Sequence, residues 1–300
     1  MKLNLNVRID DDIDLKGYQL VIGFFDGIHI GHQALIEEAK KEGKVALLTF
    51  SMGMKAFLRN RKNELLLSEE EKIERLESLG VEQYLEMPFD NSLKDATVDE
   101  FLDFLRRLKP DRIIVGEDFT FARKAQGKAD NLKVLNKDGI AVVIHSLVRT
   151  GQGKISSTLI KELLREERIQ EANSLLGYDF FYQGEVIHGL ENGRKIDFPT
   201  ANMEETEDKF LLAEGVYKTL TVIDGKTYQS MTNIGNHPTV SALDKTIIET
   251  YVIDYRGDLY LKNIKVEFLS FIRPQRKFTS LAELKEQLGK DVVIAKKKAA

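Results

Sequence analysis

The stretch Gly23-Phe24-Phe25-Asp26-Gly27-Ile28-His29-Ile30-Gly31-His32 decides the fold of the N-terminal half of this chain. The apolar run at residues 19–24 predicts a buried strand, and the Asp-Gly pair that follows predicts a turn. Residues 31–41 then carry apolar side chains at helical spacing. A buried strand that leads through a tight turn into a helix is typical of α/β folds, in which ligands bind beyond the C-terminal ends of parallel strands.

The glycines and histidines of this stretch suit a triphosphate. Gly27 and Gly31 permit a tight turn and a close backbone approach, and Gly23 stands at the strand end. The helix start offers unpaired N–H groups and the positive end of the helix dipole. His29 and His32 are three residues apart, so they share one helix face and can donate to the same phosphate. The alternative interpretation is an ordinary polar helix start.

The two halves of the chain differ in texture. Up to residue 176, apolar strand segments alternate with helical segments, which predicts a doubly wound parallel sheet. After residue 177, strand segments follow one another with turn signals between them, and one helical segment closes the chain. This pattern predicts an antiparallel β-barrel with a closing helix. We therefore predict two domains, at residues 1–178 and 179–300.

Composition excludes several classes of protein. The formal net charge of -4 over 300 residues argues against binding nucleic acid through general basicity. The absence of cysteine excludes disulfides, zinc thiolate sites and cysteine nucleophiles. No apolar run approaches the roughly 20 residues needed to cross a bilayer, and the N-terminus lacks a signal-peptide pattern. We expect no nucleic-acid or membrane partner and a cytoplasmic location, and the sequence specifies no oligomeric state.

Two further stretches of the N-terminal half carry polar side chains near predicted strand ends. Asp118 and Phe121 both come shortly after the strand that ends at Gly116. Core packing is the alternative role for Phe121. Three hydroxyl residues open a later helix, and they either cap its N–H groups or bind phosphate: Ser156, Ser157 and Thr158. Lys161 lies one turn further on and adds a positive charge.

The C-terminal half contains the stretch Phe198-Pro199-Thr200-Ala201-Asn202, preceded by a glycine loop with Gly189 and Gly193. Glycines let backbone N–H groups approach phosphates. The Thr200 hydroxyl and the Asn202 carboxamide are hard oxygen donors that suit Mg²⁺. Glu249 lies in an otherwise apolar strand segment, where an acid either faces outward or points into a site.

Together these motifs resemble the prokaryotic bifunctional riboflavin kinase/FMN adenylyltransferase family, also called FAD synthetase, in the family order over nearly the full chain. The segment Asn233-Ile234-Gly235 also matches that family. The resemblance implies ATP-dependent phosphorylation of riboflavin to FMN, then adenylylation of FMN to FAD with release of pyrophosphate. Riboflavin, FMN and ATP are the implied substrates, with Mg²⁺ accompanying ATP.

The resemblance also implies roles for individual residues. Glu249 would be the general base for the ribityl 5′-hydroxyl, and His29 and His32 would act in adenylyl transfer. Asp118, Phe121, Asn233 and Gly235 would line flavin pockets, and Thr200 and Asn202 would hold the metal. The remaining residues would bind ATP phosphates: Gly23, Asp26, Gly27, Gly31, Ser156, Ser157, Thr158, Lys161, Gly189 and Gly193.

The chain departs from the family at a few positions. Phe24 stands where the family often has Asn, Ala122 where it often has Gly, and Lys161 where it usually has Arg, which costs the bidentate fork of a guanidinium. Met52-Gly53-Met54 stands where the family often has Pro-His-Pro. Two alternatives stay open: a riboflavin kinase with a weak or inactive adenylyltransferase half, and a non-catalytic regulator that binds flavin or nucleotide.

Overall fold

The computed structural model describes residues 2–4, 13–51, 64–151, 153–188, 198–206, 208–236 and 246–297. The chain forms two compact units, Met1–Ser157 and Thr158–Ala300. The predicted domain boundary at residues 178/179 stays a prediction, since the helices between residues 157 and 176 group by contact with the second unit.

The described part of the first unit contains ten strands. They are β1 (Lys2–Asn4), β2 (Tyr18–Ile22), β3 (Lys44–Phe50), β4 (Val81–Met87), β5 (Arg112–Gly116), β6 (Thr120–Phe121), β7 (Gly127–Lys128), β8 (Ala141–His145), β9 (Arg149–Thr150) and β10 (Gly153–Lys154). Six of them form a parallel sheet in the order β1-β4-β3-β2-β5-β8. The pairs β6/β7 and β9/β10 form short antiparallel ladders. The predicted doubly wound parallel sheet is confirmed.

Several helices of this unit begin after a capping residue that can be recognised in the sequence. They are α1 (Ile30–Lys40), α2 (Glu69–Ser78), α3 (Asn91–Asp95) and α4 (Val98–Leu108). At the start of α2, the Ser68 hydroxyl accepts from the N–H of Glu71, and the Glu71 carboxylate accepts from the N–H of Ser68. Thr97 and Glu100 make the same reciprocal pair before α4. Such boxes satisfy N–H groups that a helix start leaves without intrahelical partners.

The strand order places a topological switch point beside the histidine motif. From β2 the chain proceeds through β3 to β4 on one side, whereas β5 and β8 lie on the other side. Crevices beyond the carboxyl ends of strands at such a point are the usual ligand sites of doubly wound sheets. The carboxyl ends in question are Ile22 of β2 and Gly116 of β5.

The second unit begins with two helices and continues as an antiparallel sheet. Its helices are α5 (Ser157–Arg165), α6 (Ile169–Leu176) and α7 (Leu281–Lys296). Its strands are β11 (Phe181–Glu185), β12 (Ala201–Glu204), β13 (Gly215–Ile223), β14 (Lys226–Asn236), β15 (Thr246–Val252) and β16 (Asn263–Arg273), in the order β11-β16-β13-β14-β15-β12. A bridge between Ile187 and Asn202 brings the two edges together. The predicted antiparallel barrel with a closing helix is confirmed.

Alternation along the strands separates the barrel interior from its outer face. On β13, Tyr217, Thr219, Thr221 and Ile223 are buried, while the residues between them are partly exposed. Buried hydroxyls of neighbouring strands are bonded in a ladder, in which Thr232 contacts Thr219 at 2.9 Å and Thr250 at 3.0 Å. This pairing satisfies hydroxyls that would be costly to bury alone.

Two element boundaries differ from those read from the sequence. Strand spacing in the sequence predicts the last strand at residues 259–268, but the strand runs from Asn263 to Arg273, and Leu261 is 74% exposed. Helical spacing of Leu281, Leu284 and Leu288 predicts the closing helix at residues 280–288, but the helix continues to Lys296. Its second half contacts the barrel through Val292 and Ala295 beside Met231, because those apolar positions continue the helical spacing past Gly289.

Candidate active sites

The turn that joins β2 to α1 has a constrained backbone. Phe25, Gly27 and Ile28 all have positive φ, at 51°, 79° and 40°. Such angles are unfavourable for side chains other than glycine, so the surrounding structure must enforce them. Phe25 and Ile28 are fully buried, and this burial holds the turn. The result is that α1 begins at the switch-point edge of the sheet with its N-terminus ordered.

The two histidines meet at the start of α1. His29 is the N-cap, and its Nδ1 accepts a hydrogen bond from the backbone N–H of His32 at 3.3 Å. The two rings stack with centroids 3.7 Å apart and planes 13° apart. Because Nδ1 accepts, the proton of a neutral His29 lies on Nε2, which leaves that atom as a donor. The two imidazoles therefore lie side by side at the start of α1.

Gly31 lies close against the ring of His29. A Cβ at this position would lie 3.1 Å from Nδ1 and 3.2 Å from Cε1 of the His29 ring. Any side chain here would therefore crowd the ring that caps the helix. The absence of a side chain at Gly31 therefore leaves room for the His29 ring.

Burial keeps both imidazoles neutral. His29 is 6% exposed, and desolvation lowers its pKa from 6.5 to about 4, against the opposing influence of the Asp26 carboxylate. Desolvation also holds the pKa of His32 well below its usual range; a proton on His29 would lower it further, and the charges of Lys72 and Lys154 act in the same direction. Nδ1 of His32 is buried and makes no hydrogen bond within the described part of the chain. A neutral imidazole with an unused ring nitrogen is suited to meet a ligand.

The depressed pKa of His29 predicts acid sensitivity of the first unit. Unfolded histidine binds a proton near pH 6.5 whereas folded His29 does so only near pH 4, so the unfolded chain holds more protons between these values. Stability should therefore fall as the pH decreases from about 6.5 to about 4. Hydrogen exchange of the α1 amides at pH 7 and pH 5 measures this effect, and H29N should show a smaller change. Equal changes in both proteins would contradict the prediction.

Asp26 ties three segments together. Its Oδ1 accepts from the N–H of Leu66 at 2.7 Å, and its backbone carbonyl accepts from the Ser157 hydroxyl at 2.8 Å. The aspartate is buried, so these bonds are shielded from water. The Ser157 hydroxyl therefore anchors the serine segment to the histidine turn. This contact is one that sequence reasoning did not foresee, because it joins residues 131 positions apart.

Lys154 is a cation of this site that sequence reasoning missed. It forms an ion pair with Asp118, and its charge acts on both His29 and His32. Asp118 follows β5, so the pair spans the carboxyl edge of the sheet beside the switch point. The available signal was position, because Lys154 directly precedes the Ile155-Ser156-Ser157 segment.

The other predicted residues of this half occupy different settings. Phe121 is 3% exposed and packs in the core, with its ring 4.8 Å from that of Phe101. Ala122 has φ 62° and ψ 173°, a region in which glycine is strongly preferred. Thr158 and Lys161 lie on α5 and are grouped with the second unit.

In the second unit, three site candidates form one row across the barrel wall. Glu249 of β15 is paired in register with Asn202 of β12 on one side and with Asn233 of β14 on the other. Their neighbours Ala201, Thr250 and Thr232 form the adjacent, inward-facing row. The Asn233 Nδ2 donates to the Glu249 carboxylate at 3.4 Å. Glu249 thus faces the outer side of the barrel but stands between two carboxamides.

Asn202 has an oxygen that fits a metal ligand. The residue is 4% exposed, and its Oδ1 accepts no hydrogen bond from any described residue. Its Nδ2 donates to the Thr200 carbonyl at 3.5 Å, which directs the oxygen away from that carbonyl. A buried oxygen without a donor favours a cation, and hard cations prefer such oxygens. Among the described residues no cluster of three or more histidine or acidic ligands forms, so the amide and hydroxyl oxygens are the candidate donors.

Of the other predicted site residues in the C-terminal half, the structure describes two and leaves two outside the described residues. Gly235 is buried on β14, two residues beyond Asn233. Thr200 is partly exposed directly before β12. Gly189 and Gly193 lie outside the described residues, as do Met52-Gly53-Met54.

None of the described helices combines the length and apolarity needed to cross a membrane.

Comparisons with known proteins match the N-terminal and C-terminal parts of the chain to two different families. A family model described as FAD synthetase matches residues 12–159, and one described as riboflavin kinase matches residues 176–299. A Listeria monocytogenes protein described as bifunctional riboflavin kinase/FMN adenylyltransferase is 33% identical over 280 residues, covering 91% of this chain and 89% of that protein. An Escherichia coli protein of the same description is 30% identical over 309 residues, covering 99% and 97%.

A solved structure also resembles the whole chain. It is described as a macrolide-efflux protein from Streptococcus pneumoniae, and it matches with a TM-score of 0.87 and 29% identity over 99% of both chains.

Proposed function

Because the chain belongs to the bifunctional riboflavin kinase/FMN adenylyltransferase family, we propose that its two units divide the two reactions of flavin coenzyme synthesis between them. The chain phosphorylates riboflavin to FMN and adenylylates FMN to FAD. We assign the first reaction to residues 179–300 and the second to residues 1–178. A cytoplasmic location, where ATP is available, is part of the proposal.

The proposal for FMN formation rests on the row Asn202, Glu249 and Asn233. The ribityl 5′-hydroxyl oxygen attacks the γ-phosphorus of ATP, the bond to the bridging oxygen breaks, and ADP leaves. The hydroxyl proton passes to the Glu249 carboxylate late in the transfer. Thr200 and Asn202 would hold Mg²⁺, which neutralises phosphate charge when bound. Gly189 and Gly193 would let backbone N–H groups approach the phosphates.

The proposal for FAD formation rests on the stacked histidines at the start of α1. A phosphate oxygen of FMN attacks the α-phosphorus of ATP, and pyrophosphate leaves. Nε2–H of His29 and the ring of His32 face the charge that builds on the phosphates, at a helix N-terminus that already favours anions. No protein nucleophile takes part, since the acceptor supplies the attacking oxygen.

The observation that carries both assignments is that each unit contains its own polar constellation, matched by its own family model. One has imidazoles at a helix start, and the other has a carboxylate between two carboxamides. The description of the similar Streptococcus structure applies to that protein, and we assign no transport role to this chain.

A two-product assay tests the proposal. Purified protein is incubated with riboflavin and Mg-ATP, and the flavins are separated by chromatography. We expect FMN to appear first and FAD to follow. FMN without FAD would select a kinase whose other half is inactive, and the absence of both products would select a non-catalytic binding protein.

Lys154 should contribute to FAD formation. The variant K154M removes a positive charge near both histidines, and we expect the rate of FMN adenylylation at low ATP to fall about tenfold, since hydrogen bonds to charged groups contribute roughly 1.5–3 kcal/mol. K154R should retain most of the rate. K133M is the matched control, because Lys133 is also exposed and paired with an aspartate, Asp130. If K154M matched K133M, Lys154 would have no role in the reaction.

A further inference from the structure

The side chain of Asn233 can be placed in two ways, and only one of them suits its neighbour. A carboxamide presents an oxygen at one end and an NH₂ group at the other, with nearly identical shape. Glu249 is an acceptor when ionised, so it is stabilised by the NH₂ end and repelled by the oxygen. The structure has the Asn233 Nδ2 facing the carboxylate at 3.4 Å. What holds Asn233 in this orientation is therefore relevant to the base.

Gln275 supplies the constraint. Its Nε2 lies 2.8 Å from the backbone carbonyl oxygen of Ile234. A carbonyl can only accept, so the NH₂ end of Gln275 must face it. The same Nε2 lies 3.3 Å from the Asn233 Oδ1. Its second hydrogen therefore requires an oxygen at that position, and Asn233 must turn its own NH₂ group toward Glu249.

Gly235 makes room for this contact. A Cβ at residue 235 would lie 1.7 Å from Nε2 and 2.8 Å from Cδ of Gln275. No real Cβ tolerates such distances, so any other residue would displace the glutamine amide from its place over β14. The absence of a side chain at Gly235 is thus explained by the position of Gln275.

The segment that carries Gln275 is anchored two residues earlier. Arg273, the last residue of β16, donates to both oxygens of the Asp291 carboxylate of α7, from Nε to Oδ1 at 3.2 Å and from Nη2 to Oδ2 at 2.8 Å. Asp291 is fully buried and also accepts from Gln287 at 2.8 Å. A bidentate pair of this kind fixes the direction of the guanidinium and hence of the chain that leaves the strand. Arg273 thus has a structural partner in Asp291.

We propose that Gln275 is a positioning residue for FMN formation, because it fixes the Asn233 carboxamide so that its NH₂ group faces Glu249. This inference rests on the proposed role of Glu249 as the base. The chain of constraints begins at a backbone carbonyl whose hydrogen-bonding role cannot change, and it ends at the carboxylate. Without Gln275, Asn233 can rotate and present its oxygen to Glu249.

The variant Q275M tests the proposal, because methionine has a similar length but no donor. We expect the kcat of FMN formation to fall about fivefold to tenfold, as for the loss of one hydrogen bond, with the KM for ATP within about twofold of the wild-type value. Conversion of FMN to FAD should be unchanged. Q229M is the matched control: Gln229 lies on β14, is exposed, and its side-chain amide donates to the Lys296 carbonyl, so the kcat of Q229M should stay at the wild-type value.

A double-mutant cycle separates this role from a general effect on folding. G235A should lower kcat as Q275A does, because the new Cβ displaces the glutamine amide. Q275A/G235A should be no slower than Q275A, since alanine at residue 275 leaves space for the new methyl group. Losses that multiply would show that Gly235 acts independently of Gln275, and the proposal would be wrong.

The outcomes also distinguish this proposal from the function on which it rests. If the wild-type protein forms no FMN, the proposed function fails. If it forms FMN and Q275M has an unchanged kcat, only the positioning role is overturned. A rise in the KM for ATP with unchanged kcat would likewise contradict it, because that result assigns Gln275 to nucleotide binding.

Discussion

E249Q should abolish the formation of FMN while conversion of added FMN to FAD continues at the wild-type rate. The substitution keeps the shape of the side chain and removes the proton acceptor, and loss of a general base costs roughly 10²–10⁴ in rate. E249A should have the same effect. The measurement is the rate of FMN appearance from riboflavin and Mg-ATP, with FAD formation from added FMN in the same preparation as the internal standard.

The matched control for this change is E267Q. Glu267 also lies on a barrel strand, β16, and is partly exposed, but it is paired with Lys265 at 2.8 Å and belongs to a different part of the wall. We expect E267Q to form FMN at nearly the wild-type rate. Wild-type kinase activity in E249Q would show that the base lies elsewhere, and loss of both activities would point to a folding defect.

H29N should slow adenylylation of FMN by about 10²–10³ and leave FMN formation unchanged. Removing one preorganised donor from a site of developing charge typically costs this much. Asparagine is chosen because it is a good N-cap, so the start of α1 stays satisfied while the imidazole is lost. The measurement is the rate of FAD formation from added FMN at saturating ATP.

Comparison with H29A separates chemistry from stability. Alanine cannot cap, so H29A should lose about 1 kcal/mol of stability in addition to the catalytic defect. The two variants should have similar rates of FAD formation and different resistance to urea. If H29N made FAD as fast as the wild-type protein, His29 would be only a helix cap.

Local signals in the sequence determined much of the fold. The reciprocal pair Ser68/Glu71 sets the start of α2 through contacts within three residues. Apolar runs identified β2, β3 and β5, because parallel strands covered on both faces carry few polar side chains. The sequence did not indicate β4, because three of the seven residues in VEQYLEM are polar and interrupt the apolar run.

Only the tertiary structure decided how the site residues act. The pKa of His29 depends on how deeply the ring is buried, and the position of Lys154 beside it depends on a chain returning from 125 residues away. The row of Asn202, Glu249 and Asn233 depends on the register of three strands, which spacing along the sequence does not specify. The sequence shows which side chains are present and which chemical groups they carry. Their burial, the register of the strands and the contacts between distant segments arise only when the whole chain packs.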